Sequence, residues 1–260
     1  MRRRAWLLAP AVVLLVAALV VGEAVADELG DDHPAASRSV VHTPAATVTP
    51  RRGRRIILGN SLRGRQIVAD GIGSLSSERP ALVVGCIHGN EPAGIAVARD
   101  LVEDPPPAGA SLWVIPNLNP DGVAAHTRGN ARGVDLNRNF PWHWRQLGGQ
   151  FYSGPSALSE PESRAAQRFI VQRRPRITIW FHQHDDVVDE SGGDVSIERR
   201  FARLAHMPLA RLPRYPGSAT GWENHAMPGT TAFVVELPAG RLSPAGVERF
   251  SDAILRLIRP

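Results

Sequence analysis

From Ala81 onward the chain repeats one pattern: a short apolar run rich in β-branched residues, then a longer segment of helical character. The runs are "ALVVGCI" (81–87), "SLWVIP" (111–116), "ITIWF" (177–181) and "TAFVVEL" (231–237). Helices are predicted over 92–103, 160–173, 196–206 and 243–258, the first with Pro92 tolerated in its opening turn. Uninterrupted apolar runs of strand length, bounded by Gly, Pro or polar residues, fit strands buried on both faces. Such strands, separated by helices, require a mainly parallel sheet with a helical layer on each side. Upstream, "IILGNSLRGRQIVADGIG" reads as a hairpin, which adds antiparallel pairing. The expected fold class is therefore α/β: a three-layer α/β/α sandwich around a mainly parallel mixed sheet. Ligands of such sheets collect at the C-terminal ends of the strands.

Side chains of metal-ligand type stand where the buried runs stop. "CIHGNEPAG" puts His88 and Glu91 on the turn between the first run and its helix, with Gly89 and Gly94 letting backbone come close. Two ligands do not complete a zinc site. "HQHDD" follows "ITIWF", and His182, the first residue past that run, is the better third ligand. His184 is the alternate, since a period-two extension would aim both the same way. Cys86 lies inside the apolar strand and reads as a small hydrophobe. Glu236 interrupts an apolar run, where an unpaired carboxylate is expensive. It is either salt-bridged to an arginine or a general base whose pKa is set by partial burial and a nearby cation. Two His, one Glu and a second Glu that does not ligate make a hydrolytic arrangement, with the fourth position open for water.

The remaining sequence bounds the setting. At 260 residues and 43% hydrophobic, the chain can build one large core. Its net charge is +5, and all 30 basic residues are Arg. No basic run with interleaved aromatics occurs beyond "RRGRR" (51–55), so a nucleic-acid partner is not expected. One cysteine excludes an intrachain disulfide. The first 26 residues have a basic head, an apolar stretch and "AVA" at 24–26, which reads as a signal peptide, with an uncleaved membrane anchor as the alternative. Membrane contact is expected only through this segment. Residues 27–52 are rich in Ala, Pro, Thr and charge without periodicity and read as a flexible linker or pro-segment, leaving 53–260 as the functional domain. The expected location is secreted or cell envelope.

"HGNE" (88–91), "NPDG" (119–122), "GVDLNRNFP" (133–141), "FHQ" (181–183) and "VVELPAG" (234–240) stand in one order along the chain. Together they resemble the zinc carboxypeptidase family, of the carboxypeptidase A type, over most of residues 55–258. "YSGPSALSEPE" (152–162) and the short chain look more like its bacterial murein tripeptide amidase branch. The resemblance implies one zinc on His88, Glu91 and His182, with Asp135 accepting a hydrogen bond from His88. It implies that Asn137 and Arg138 grip a terminal carboxylate of the substrate and that Arg128, rather than Arg132, polarises the scissile carbonyl. Tyr215 matches the family's late substrate-side tyrosine as a wall of the pocket. The implied activity is hydrolysis of an amide next to a terminal carboxylate in a peptide or murein peptide, with Glu236 as base. The alternatives are an N-acyl amino acid deacylase of the aspartoacylase or succinylglutamate desuccinylase kind and a non-catalytic, zinc-bearing wall-binding module.

Overall fold

The computed structural model describes residues 54–75, 79–103 and 109–259; the expected signal peptide (1–26) and linker (27–52) lie outside them. Strands β1 (Arg54–Asn60) and β2 (Gln66–Gly73) form the predicted antiparallel hairpin. Next come β3 (Ala81–Val84), β4 (Ser111–Ile115), β5 (Ile177–Asp189), β6 (Leu209–Ala210) and β7 (Thr231–Pro238). The sheet runs β1-β2-β4-β3-β5, and both β6 and β7 pair with β5. Pairing is antiparallel from β1 to β2 and from β2 to β4, and parallel among β3, β4, β5, β6 and β7.

Alternate side chains of the strands feed two cores. Val83, Val114, Ile179 and Val235 pack with α1 (Gly94–Glu103), α4 (Val195–Leu204) and α6 (Pro244–Leu257), through Val97, Phe201 and Ile254 among others. Leu82, Trp113 and Trp180 face the other way, onto α3 (Pro161–Arg173) and α5 (Ala219–Ala226), where Phe169 and Trp222 meet them. One helical layer on each face of a mixed sheet is the expected sandwich. On the second face the carboxylate of Glu223 in α5 is fully buried and accepts the Thr178 hydroxyl and the Trp180 indole N–H, the latter at 3.2 Å. Burial pushes its pKa up to about 7.

Several predicted boundaries move, for local reasons. β3 ends at Val84 rather than 87: Gly85 N still donates to the Ile115 carbonyl at 2.9 Å, and the chain bends at Ile87 and His88. A Cβ at Gly85 would lie 2.6 Å from the Pro116 carbonyl and 2.9 Å from that of Gly94. Helix α1 begins at Gly94, with Pro92 in the preceding turn, whose carbonyl accepts from Ile95 N at 3.0 Å. The strand does not end with its apolar run at 181: β5 continues to Asp189 along β7, with register shifts between His184 and Val188. His184, Asp185 and Asp186 are exposed there, and that polar run mimics a loop in sequence. Helix α5 and a short α2 (Pro120–Ala125), capped by Asn119, were not expected; both are brief and contain glycine.

Candidate active site

The turn carrying His88 and Glu91 is braced from below by the "NPDG" segment. Asn119 caps α2 by accepting from Gly122 N at 2.9 Å. Its amide donates to the carbonyls of Ile87 (3.1 Å) and Arg128 (3.3 Å). Gly89 packs so closely against α2 that a Cβ would lie 1.9 Å from the Gly122 carbonyl carbon. No larger residue fits, so the motif fixes both the ligand turn and the segment that brings Arg128 to the site.

His88, Glu91 and His182 converge, all buried. His88 Nδ1 lies 2.9 Å from Glu91 Oε2, His182 Nδ1 lies 3.0 Å from the same oxygen, and the two Nδ1 atoms are 3.1 Å apart. On the far side of its ring, His88 Nε2 donates to Asp135 Oδ1 at 2.9 Å. A carboxylate only accepts, so in the neutral ring the Nε2 proton leaves a lone pair on Nδ1, aimed at Glu91 and His182. Three electron-rich atoms crowded around one point suit a cation, and N/O donors of this type hold zinc at about 2.0–2.2 Å. The donor set fits the metal. Burial opposes charge on Glu91, but the neighbouring imidazoles of His182 and His88 outweigh it and hold the carboxyl well below the usual range. At Asp135 burial likewise loses to His88 and to Arg128.

Asp135 thus orients a ligand without belonging to the cluster. Replacement of Asp135 by Asn is expected to weaken zinc binding by about 10–100-fold, read by competition with a chelator. Unchanged affinity would show that Asp135 does not set the orientation of His88.

These groups open into a cavity of about 540 Å³, which Glu236, Arg128, Asn137, Arg138 and Tyr215 also line. Glu236 Oε2 is buried and has no hydrogen-bond partner among the described residues. Burial, then the carboxylates of Glu91 and Asp185, push its pKa up to about 7, against the pull of His88 and Arg128. Of the two readings of Glu236, the salt bridge to an arginine is absent among the described residues, and burial rather than a neighbouring cation is the main influence on its proton affinity. Arg128 spans two acids, donating from Nε to Asp135 Oδ2 and from Nη1 to Glu91 Oε1, each at 2.9 Å. Arg132 instead faces Glu160 at 3.6 Å, outside the cavity lining. Asn137 Oδ1 accepts from Ala219 N at 2.9 Å, so the N-terminus of α5 holds it. Arg138 is buried, donates from Nη1 to the Asn137 carbonyl at 2.7 Å and leaves Nε unpartnered among the described residues.

The ring of Tyr215 lies 4.2 Å from the Arg138 guanidinium carbon and stacks on Phe151, itself 5.1 Å from that carbon. Phe151 escaped the sequence reading because it sits on a three-residue 3₁₀ turn with no periodicity. Gln183 escaped too: its Oε1 accepts from Ala93 N at 2.9 Å and its Nε2 donates to the Pro238 and Gly240 carbonyls, tying the ligand helix to the end of β7. His184 stands apart from the cluster, its side chain 76% exposed and 3.3 Å from Asp185. Of the tryptophans, Trp222 is core, stacked on Phe140, and Trp142 stacks on His225. Trp144 donates to the Ser153 carbonyl at 3.3 Å.

Comparison with known proteins bears on the family and the fold. The sequence profile described as zinc carboxypeptidase matches residues 44–196. Murein peptide amidase A of Vibrio campbellii is 27% identical over 201 residues, which span 71% of this chain and 79% of that protein. Zinc carboxypeptidase A 1 of Drosophila melanogaster is 27% identical over 188 residues, 59% of this chain but 43% of the fly protein. The crystal structure of murein-tripeptide amidase from Escherichia coli O157 superposes with a TM-score of 0.66 at 24% identity, covering 79% of this chain and 91% of that one. That likeness bears on the fold.

Proposed function

This chain belongs to the zinc carboxypeptidase family, and from that membership we propose that it cleaves an amide next to a terminal carboxylate in cell-wall peptides, such as the bond between γ-D-glutamate and diaminopimelate. It is a metallopeptidase with one zinc, for which His88, Glu91 and His182 are the donors at hand. The observation that carries the reading is that one cavity holds the three donors, the buried Arg138 and Glu236, whose Oε2 has no hydrogen-bond partner among the described residues. The likeness to murein peptide amidases supports a cell-wall peptide as substrate, and the leader-like N-terminus supports a location outside the cytoplasm.

Zinc at this donor set supplies Lewis acidity toward a water and a carbonyl oxygen. Glu236 takes the proton of the attacking water as that oxygen adds to the amide carbon, and returns it to the departing amine. Arg128 is pinned through Nε and Nη1, which leaves Nη2 to meet the carbonyl oxygen as negative charge develops there. Asn137 and Arg138 hold the terminal carboxylate, and the Tyr215 and Phe151 rings against Arg138 keep the guanidinium fixed. Recognition of a free carboxylate restricts cleavage to the end of a peptide.

The test is incubation of the zinc-loaded protein with L-alanyl-γ-D-glutamyl-meso-diaminopimelate and identification of products by mass. Release of free diaminopimelate is expected. An intact tripeptide alongside release of ordinary C-terminal L-residues would overturn the choice of substrate. Hydrolysis of small N-acyl amino acids alone would assign the chain to deacylation instead.

A further inference from the structure

The catalytic cavity contains a third guanidinium that the proposed reaction does not use. Arg214 lines it together with Arg128 and Arg138, and also borders an adjoining cavity of about 540 Å³, which shares Arg214, Tyr215 and Ser218 with the first. Arg128 is committed to Glu91 and Asp135. Arg138, beneath the Tyr215 ring, is assigned to the terminal carboxylate. Arg214 and Tyr215 are consecutive in the chain and line the same cavity as Arg138.

Arg214 is held in place from one side only. Its Nη1 donates to both oxygens of Asp189, at 3.0 and 2.7 Å, and to the Leu212 carbonyl at 3.2 Å. Nε and Nη2 have no partner among the described residues, and the side chain is 41% exposed. That open edge is the one that forms paired, parallel hydrogen bonds with a carboxylate. Asp189 does not depend on Arg214 alone, since it also accepts from Leu212 N at 2.8 Å and from the Ser191 hydroxyl at 2.7 Å. The buried acid aims the arginine and leaves its recognition edge free.

Resting on the peptidase reading above, we infer that Arg214 binds a second carboxylate, at the far end of the side chain of the residue released by cleavage. The substrate class is then a peptide ending in a diamino dicarboxylic acid, with its two carboxylates shared between Arg138 and Arg214. Lysine is the same residue without the far carboxylate, so the pair isolates this one contact.

The experiment compares kcat/KM of the zinc-loaded protein on L-alanyl-γ-D-glutamyl-meso-diaminopimelate and on L-alanyl-γ-D-glutamyl-L-lysine. The wild-type protein is expected to prefer the first by roughly 10–100-fold, the range for a charge-assisted pair. Arg214→Gln should bring the ratio close to one, with the loss falling on the diaminopimelate peptide. The double variant Asp189→Asn with Arg214→Gln leaves no unpaired buried carboxylate and should do the same. Because the ratio is taken within one preparation, a partly unfolded variant does not alter it. A preference that survives in both variants, or a wild-type ratio near one, overturns the role of Arg214 and leaves the peptidase reading standing. No turnover of either peptide by the wild-type protein overturns both.

Discussion

Glu236→Gln is expected to lower kcat by roughly 10²–10⁴-fold, the contribution typical of a positioned general base, while zinc stays bound. Glutamine keeps the shape and volume of glutamate but cannot take a proton. Glu236 is outside the three-donor cluster, so the metal loses nothing. The fold loses little either, since Oε2 has no hydrogen bond to forfeit among the described residues. The pH dependence has a definite sign. Burial and nearby carboxylates raise the Glu236 pKa to about 7 in the metal-free protein, so the base is neutralised, and turnover lost, as pH falls. A bound zinc ion, being positively charged, would favour the carboxylate and move this acid limb to lower pH. In the metal-free protein the folded state binds the Glu236 proton more tightly than the unfolded chain does. Its contribution to stability therefore declines as pH rises from the ordinary carboxylate range through about 7. The Gln variant removes both dependences. Full turnover in a zinc-loaded Glu236→Gln preparation would take Glu236 out of the mechanism.

His182→Ala is expected to abolish turnover down to the uncatalysed background. His182 is one of only three donors, and the loss of a ligand weakens zinc by more than the ~10–100-fold that accompanies loss of an outer partner. Two residues further along β5, His184 supplies the contrast. Its side chain is exposed and faces Asp185, away from the cluster, so His184→Ala should retain turnover close to wild type. Equal loss in both variants, measured under the same zinc-loading conditions, would mean that the choice between the two histidines is wrong.

That choice shows how far the sequence alone can be read. His88 and Glu91 were legible because a tight glycine-containing turn directly follows a buried strand, and Glu236 because a carboxylate stands inside an apolar run. The layered fold followed from strand runs alternating with helices, and the hairpin from its polar turn. His182 and His184 were harder to separate, since simple alternation aims both the same way. Pairing with β7 stays in register through His184, and the shifts lie beyond it. What separates the two is burial, with His182 enclosed and His184 at the exposed end of the regular pairing, and that burial depends on long-range packing with no local signature. Residues 126–160 were opaque for a different reason. They have no hydrophobic period, and side-chain amides shape them: Asn130 bonds Glu160 and Glu162, and Asn139 bonds Ser153, Ser156 and Ser159. Asp135, Asn137 and Arg138 ride on that scaffold, so only the resemblance in "GVDLNRNFP" pointed to them. The raised pKa of Glu236 was foreseeable from burial, but its carboxylate neighbours were not, because Asp185 reaches the site through the unforeseen extension of β5.

The central claim is that the ends of two strands bring His88, Glu91 and His182 to a single zinc ion. Metal analysis of the purified, dialysed protein tests it most directly. The account predicts one zinc per chain in the wild-type protein and in His184→Ala, and none retained in His182→Ala. A wild-type chain that binds no zinc when the ion is supplied, or a His182→Ala chain that keeps its full complement, would contradict it.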